Sequence, residues 1–196
     1  MNFKKIFIIL LLFNLSCANS FSIEPDVFVQ STVNRASAVL SKNLSKTQKI
    51  NELKIIAEET VDIEGIGFYT IGNYRKDMSE NELSKYAELF EQYFLKSFSS
   101  RLAEYTNPEI SVNSKEVLSE NYTIVNSVLK GTSDRPEIKI DWRIYTKNPD
   151  NPLIRDLIIE GLSLARTQKE EFASIINSNN EDFKVLFKTL EEFIKN

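Results

Sequence analysis

Histidine is absent from all 196 residues, and cysteine occurs once, at Cys17. The first absence excludes Ser-His-Asp and Cys-His catalysis and removes the commonest ligand of zinc, haem and copper. The second leaves no pair for a disulfide and no set of thiolates for an iron–sulfur cluster. Glycine and proline, five each, are too few for a collagenous, linker-rich or low-complexity chain. Long apolar runs are also missing: the longest, Ile6–Phe13, is far short of the roughly 20 residues of a membrane-spanning helix.

That short run has another meaning. Lys4 and Lys5 precede it, and the small residues Ser16, Ala18 and Ser20 follow it. A basic start, an apolar centre and a small-residue end describe a secretory signal peptide, expected over residues 1–20 with cleavage after Ala18 or Ser20. A lipoprotein site at Cys17 would want Leu three residues earlier, where Asn14 stands. Cleavage would remove both lysines and Cys17 and move the net charge from −4 to about −6. So acidic a chain is poorly suited to bind nucleic acid or an anionic bilayer by bulk charge. The expectation is an exported, periplasmic protein with no stable membrane insertion.

Residues 21–196 read as a single domain: helices over 25–105, a sheet over 109–160, then helices over 164–195. Val29, Val33, Ala36 and Leu40 recur at helical spacing over 25–42, with Pro25 near the start. A second helix is expected over 47–61. A third spans 63–71, capped by Asp62 and ended by Gly72. The fourth, 79–105, opens on the capping box Ser79–Glu82. Its stripe runs through Leu83, Tyr86, Phe90, Tyr93, Phe94, Phe98 and Arg101 at spacings of three and four. Two strands over 109–130 turn at Ser119–Asn121. Ile138, Ile140, Trp142 and Ile144 then alternate with Lys139, Asp141 and Arg143, one face buried and one wet. A fourth strand covers 153–159, and the last helices 165–177 and 181–194. Consecutive strands with short turns give an antiparallel meander, so the class is α+β.

This order of elements and four local patterns resemble the MlaC, or toluene-tolerance, family of periplasmic phospholipid carriers. The patterns are Val61-Asp62 through Ile71-Gly72-Asn73-Tyr74-Arg75, the long aromatic helix, the strand Ile138–Tyr145, and Arg155-Asp156-Leu157-Ile158-Ile159-Glu160-Gly161-Leu162-Ser163. Pro152 stands where the family usually carries Trp. The resemblance implies a curved, four-stranded antiparallel sheet of the NTF2-like kind packed on a helical lobe. It also implies a monomeric, non-enzymatic shuttle without cofactor, taking phospholipid between an outer-membrane lipoprotein complex and an inner-membrane ABC transporter complex with an MCE subunit. Its motif residues here are Asp62, Gly72, Arg75, Asp156, Glu160, Gly161 and Ser163.

The residues support that reading on their own terms. A diacyl lipid has about 30 methylenes, each worth roughly 0.8 kcal/mol out of water, so unaided crossing faces a barrier on the order of 20 kcal/mol. A carrier must offer an apolar cleft. The candidate lining is Phe68, Ile71, Tyr86, Phe90, Tyr93, Phe94 and Phe98 from the helices, with Ile138, Ile140, Trp142, Ile144, Ile159 and Leu162 from the sheet side. Arg75, Lys76, Arg101 and Arg143 are candidate cations for a phosphate head group or a partner surface. Other readings fit the same residues: the stripe as ordinary core, a small enzyme using an Asp/Glu pair on an apolar substrate, or an envelope adaptor with a filled interior. Glu160-Gly161-Leu162-Ser163 lacks the Gly-x-Ser-x-Gly elbow and any histidine, and reads as a strand-to-helix turn with Ser163 as cap.

Overall fold

A computed structural model describes residues 22–133 and 135–196; the expected leader, 1–20, lies outside the described residues. The elements in order are α1 (Pro25–Ser41), α2 (Lys46–Thr60), α3 (Ile63–Ile71), a 3₁₀ turn over Gly72–Lys76, α4 (Glu80–Leu102), β1 (Ile110–Ser119), β2 (Tyr122–Leu129), β3 (Ile138–Tyr145), β4 (Leu153–Ile159), β5 (Leu162–Ser163), α5 (Leu164–Asn177) and α6 (Lys184–Lys195).

Local chemistry accounts for most boundaries. Ser45 with Gln48 opens α2, and Ser79 with Glu82 opens α4, each as a reciprocal capping box. Asp62 caps α3 by accepting the Gly65 N–H at 2.9 Å. Helix α4 stops at Leu102, short of Tyr105, because the Glu104 and Tyr105 N–H groups turn to the carbonyls three residues back, Arg101 and Leu102, and the chain then runs into Asn107 at φ 48° before Pro108. Helix α6 starts at Lys184, later than 181, since Asn180 and Glu181 both take positive φ. Gly72 sits at φ 59° and ψ −128°, a left-handed conformation outside the αL well, and opens a further 3₁₀ turn.

The sheet has five strands where four were expected, in the sequential antiparallel order β1-β2-β3-β4-β5. The added β5 is two residues long and pairs Leu162 with Ile159 and Ser163 with Ile158. It exists because Glu160 and Gly161, at φ 50° and 83°, make a hairpin turn with both central residues at positive φ. Beyond β5 the other end of β4 is covered by Val61, which bridges Ile154 in parallel.

Register places Ile140, Trp142 and Ile144 of β3 opposite Ser127, Val125 and Thr123 of β2, making one buried face. The main core lies between that face and the helices, with Val29, Ile66, Tyr86, Phe90, Phe172 and Phe187 as large members. A smaller core of Val39, Leu40, Leu53 and Ile56 joins α1 to α2 and packs against Leu102 and Tyr105. Helix α4, about 34 Å long at 1.5 Å per residue, runs past both.

Candidate functional site

Between α4, α5 and the buried face of the sheet the core does not close. A cavity of about 240 Å³ remains, lined by Phe90, Tyr93, Phe94 and Phe98 of α4, Trp142 of β3, Ile154 and Leu157 of β4, and Leu164 and Ala165 of α5. Val61 and Ile66 complete its apolar floor.

The aromatic wall is a continuous stack. The Phe94 and Phe98 rings lie 5.3 Å apart and 13° from parallel, and Phe90 continues the row at 6.2 Å from Phe94. Phe172 of α5 meets Phe90 edge-on at 6.2 Å. The polar atoms of the Trp142 and Tyr93 rings are satisfied within the protein. The Trp142 indole N–H donates to Ser127 Oγ at 2.8 Å, and that hydroxyl donates to the Ile140 carbonyl at 2.9 Å. The Tyr93 hydroxyl donates to Gln168 Oε1 at 2.8 Å, tying α4 to α5, and burial followed by the nearby Glu171 carboxylate holds its pKa above the usual phenol value. Trp142 and Tyr93 line the cavity with their polar atoms already bonded, while Ser97, Arg101, Thr167, Gln168 and Glu171 add a polar edge. Arg101 and Glu171 are exposed there.

Of the expected lining, Phe90, Tyr93, Phe94, Phe98 and Trp142 come together in this cavity, and Asp156 borders it. The others sit elsewhere. Ile71, Tyr86 and Ile144 are fully buried in the core, their faces filled by neighbours. Tyr86 packs on Phe187 with ring centroids 6.2 Å apart and reaches the Gly67 carbonyl with its hydroxyl. Ile140 is buried, while Phe68, Ile138 and Ile159 are half-buried and do not face the space. Leu162 is 60% exposed, because β5 is an edge strand beside the hairpin turn. The contribution of α5 was not foreseen: Leu164, Ala165, Thr167, Gln168 and Glu171 form the wall facing α4. Periodicity marks a helix's buried side but not whether a neighbour or a void covers it.

The motif residues serve mainly as architecture. Asp62 caps α3 and also pairs with Arg155, whose Nη1 donates to the Tyr122 hydroxyl at 2.9 Å. Asp156, 3% exposed, accepts the Ser163 hydroxyl at 2.6 Å and the Ala165 N–H at 3.0 Å, so it braces the start of α5 from inside, and it also makes the ion pair that the sequence offered, with Arg143 at 3.8 Å. Ser163 in turn accepts the Arg166 N–H at 3.1 Å. With its proton given to Asp156 and its oxygen capping α5, it is placed as a cap and not as a nucleophile. Glu160 accepts the Lys139 N–H across the hairpin end. Arg75 is exposed in the 3₁₀ turn after Gly72. Among the described residues no helix is long and apolar enough to cross a membrane.

The sequence matches the family described as MlaC protein over residues 30–192. Among solved structures, the fold is similar to that of a phospholipid-binding protein from Ralstonia solanacearum in complex with a phospholipid. The TM-score is 0.75 and the identity 18%, over 88% of this chain and 98% of that one. No curated protein matches the sequence.

Proposed function

The chain belongs to the MlaC family, and from that premise we propose that it is a phospholipid carrier that holds its cargo by the acyl chains in the cleft between α4, α5 and the sheet. The observation that carries the reading is the stack Phe90–Phe94–Phe98 facing Trp142 across an unfilled cavity. A folded interior is ordinarily packed without voids much larger than a water molecule. A cavity of about 240 Å³ walled by rings forgoes burial and dispersion energy that a ligand's methylenes would restore. The Ralstonia protein of the same fold, solved with a phospholipid, supports the choice of ligand.

The finer parts of the reading follow from the family. The protein works in the periplasm after loss of residues 1–20. It is a binding protein and not an enzyme, a monomer with lipid as cargo and no cofactor. It passes phospholipid between an outer-membrane lipoprotein complex and an inner-membrane ABC transporter complex with an MCE subunit. The register shifts in β1–β2 and β3–β4 support a bent sheet of the NTF2-like kind, since each bulge adds local twist.

Native mass spectrometry tests the carrier reading. Residues 21–196, exported to a bacterial periplasm and purified without detergent, are expected to carry a stoichiometric adduct of phospholipid mass. Phe94→Asp, which puts a charge on the half-buried cleft wall, is expected to lose the adduct and keep its far-UV circular dichroism. A folded wild-type chain that stays unliganded after incubation with phospholipid vesicles would overturn the reading.

A further inference from the structure

A second cavity, of about 340 Å³, lies behind the cleft. Ile66, Asp156 and Ala165 border both spaces and form the partition. It differs from the first in holding two arginines, Arg143 and Arg155, with Tyr69, Leu118, Ser119 and Tyr122 beside them. The β3–β4 pairing explains why two arginines meet. Arg143 faces Asp156 and Ile144 faces Ile154, so Arg155 is the extra residue of a bulge. The bulge breaks the alternation that would send residues 155 and 156 to opposite faces, and both border this space.

The two guanidinium groups differ in what they hold. Arg155 is committed to Asp62, to the Tyr122 hydroxyl and to the Tyr145 ring 4.1 Å below it. Arg143 is not. Its Nε is buried without a hydrogen-bond partner among the described residues. Its ion pair runs from Nη1 to the Asp156 carboxylate, beyond hydrogen-bond reach, and the same carboxylate also accepts from Ser163 and Ala165. A buried N–H left unmatched costs free energy, and a planar fork of N–H donors matches an oxyanion with two parallel bonds. Around it the Tyr122 hydroxyl accepts from Arg155 and so keeps its own proton to donate, and Lys169 lies 4.9 Å over the Tyr69 ring.

We propose that this second cavity is a binding site for a phosphate-type oxyanion, with Arg143 as its principal donor and the Tyr122 and Ser119 hydroxyls beside it. The site is set off from the acyl-chain cleft by its two guanidinium groups, across the partition of Ile66, Asp156 and Ala165. The anion has two sources: the head group of a lipid in the neighbouring cleft, or a separate phosphate or phosphate ester.

The test is a titration of lipid-free residues 21–196 with inorganic phosphate in a non-phosphate buffer, following arginine Nε–H and amide resonances by NMR. A saturable shift of the Arg143 Nε–H signal is expected. Arg143→Gln should weaken binding at least tenfold. Arg143→Lys, which keeps the charge beside Asp156 and loses the fork, guards against a folding defect and should also weaken it. Arg35→Gln, on the exposed face of α1 where it pairs with Glu59, should leave it unchanged. The same titration on lipid-loaded protein separates the sources: blocked binding assigns the site to the cargo head group, and retained binding assigns it to a separate anion. No saturable shift in the lipid-free chain, or a shift indifferent to both Arg143 variants, overturns the proposal.

Discussion

A carboxylate buried to 3% exposure needs its lone pairs filled, and at Asp156 the fillers are the first residues of the helix that walls the cleft. Removing the charge while keeping the shape isolates that role. Asp156→Asn presents an amide N–H where Ser163 or Ala165 donates, and is expected to cost about 3 kcal/mol. Ser163→Ala, which loses the cap alone, should cost about 1 kcal/mol. Urea unfolding of both variants measures the difference, and equal losses would mean that Asp156 does no more than the cap. Tyr86 makes a prediction in pH. Burial pushes its phenol pKa well above the ordinary value, with the Thr70 hydroxyl 2.9 Å away opposing. The folded form therefore keeps a proton that the unfolded chain releases above about pH 10. Where the native state binds the extra proton, stability falls as pH rises, at about 1.4 kcal/mol per unit for one group. Denaturation midpoints between pH 9 and 11 should drop more shallowly in Tyr86→Phe than in wild type, with Tyr93, shifted the same way, supplying the remainder.

Helices α3 and α4 approach closely because Gly67 has no side chain: a Cβ there would stand 2.8 Å from Phe90 Cδ1. The crossing fixes the first ring of the aromatic row. Gly67→Ala is expected to push Phe90 toward the cavity, destabilising the protein by about 1–2 kcal/mol after the gain in helix propensity, and to reduce the lipid adduct in native mass spectra. Unchanged stability would mean that the crossing is slack. Elements with a long period or a distinctive cap were legible in the sequence. The strict alternation of 138–144 marked β3, Ser79–Glu82 marked the start of α4, and Asp62 was recognisable as a cap. Strand β5 was not, because two residues have no period, and the turn before it reads equally as a route into α5. The cleft was half legible. The stripe on α4 named five of its lining residues, Phe90, Tyr93, Phe94, Phe98 and Arg101, but also Tyr86, which the same spacing sends into a filled part of the core. The α5 wall and the inward role of Asp156 depend on a contact between segments, which neither periodicity nor charge records.

At the scale of the whole molecule, the cavity of about 240 Å³ is smaller than the roughly 300–1,000 Å³ typical of sites for drug-sized ligands, and a diacyl lipid asks for more. On the proposed reading the contacts that a larger cargo would strain are those between α4 and α5, which meet through side chains: the Tyr93–Gln168 hydrogen bond and the contacts of Phe172 with Phe90 and Tyr93. A ligand that binds only the folded chain also stabilises it, by about 2.7 kcal/mol at a hundred times Kd. Lipid-loaded protein should melt at a higher temperature than the same protein stripped of lipid, and identical melting curves would count against cargo in the cleft. Trp142 gives that cleft one more property. It is the only tryptophan in the chain; its indole N–H is held by Ser127 and its ring forms part of the cavity wall. Intrinsic tryptophan emission therefore comes from a single known position, at the surface that cargo would touch. Acyl chains carrying bromine would darken it on contact, so arrival and departure of a lipid could be timed on unlabelled protein, with no dye to disturb the cleft.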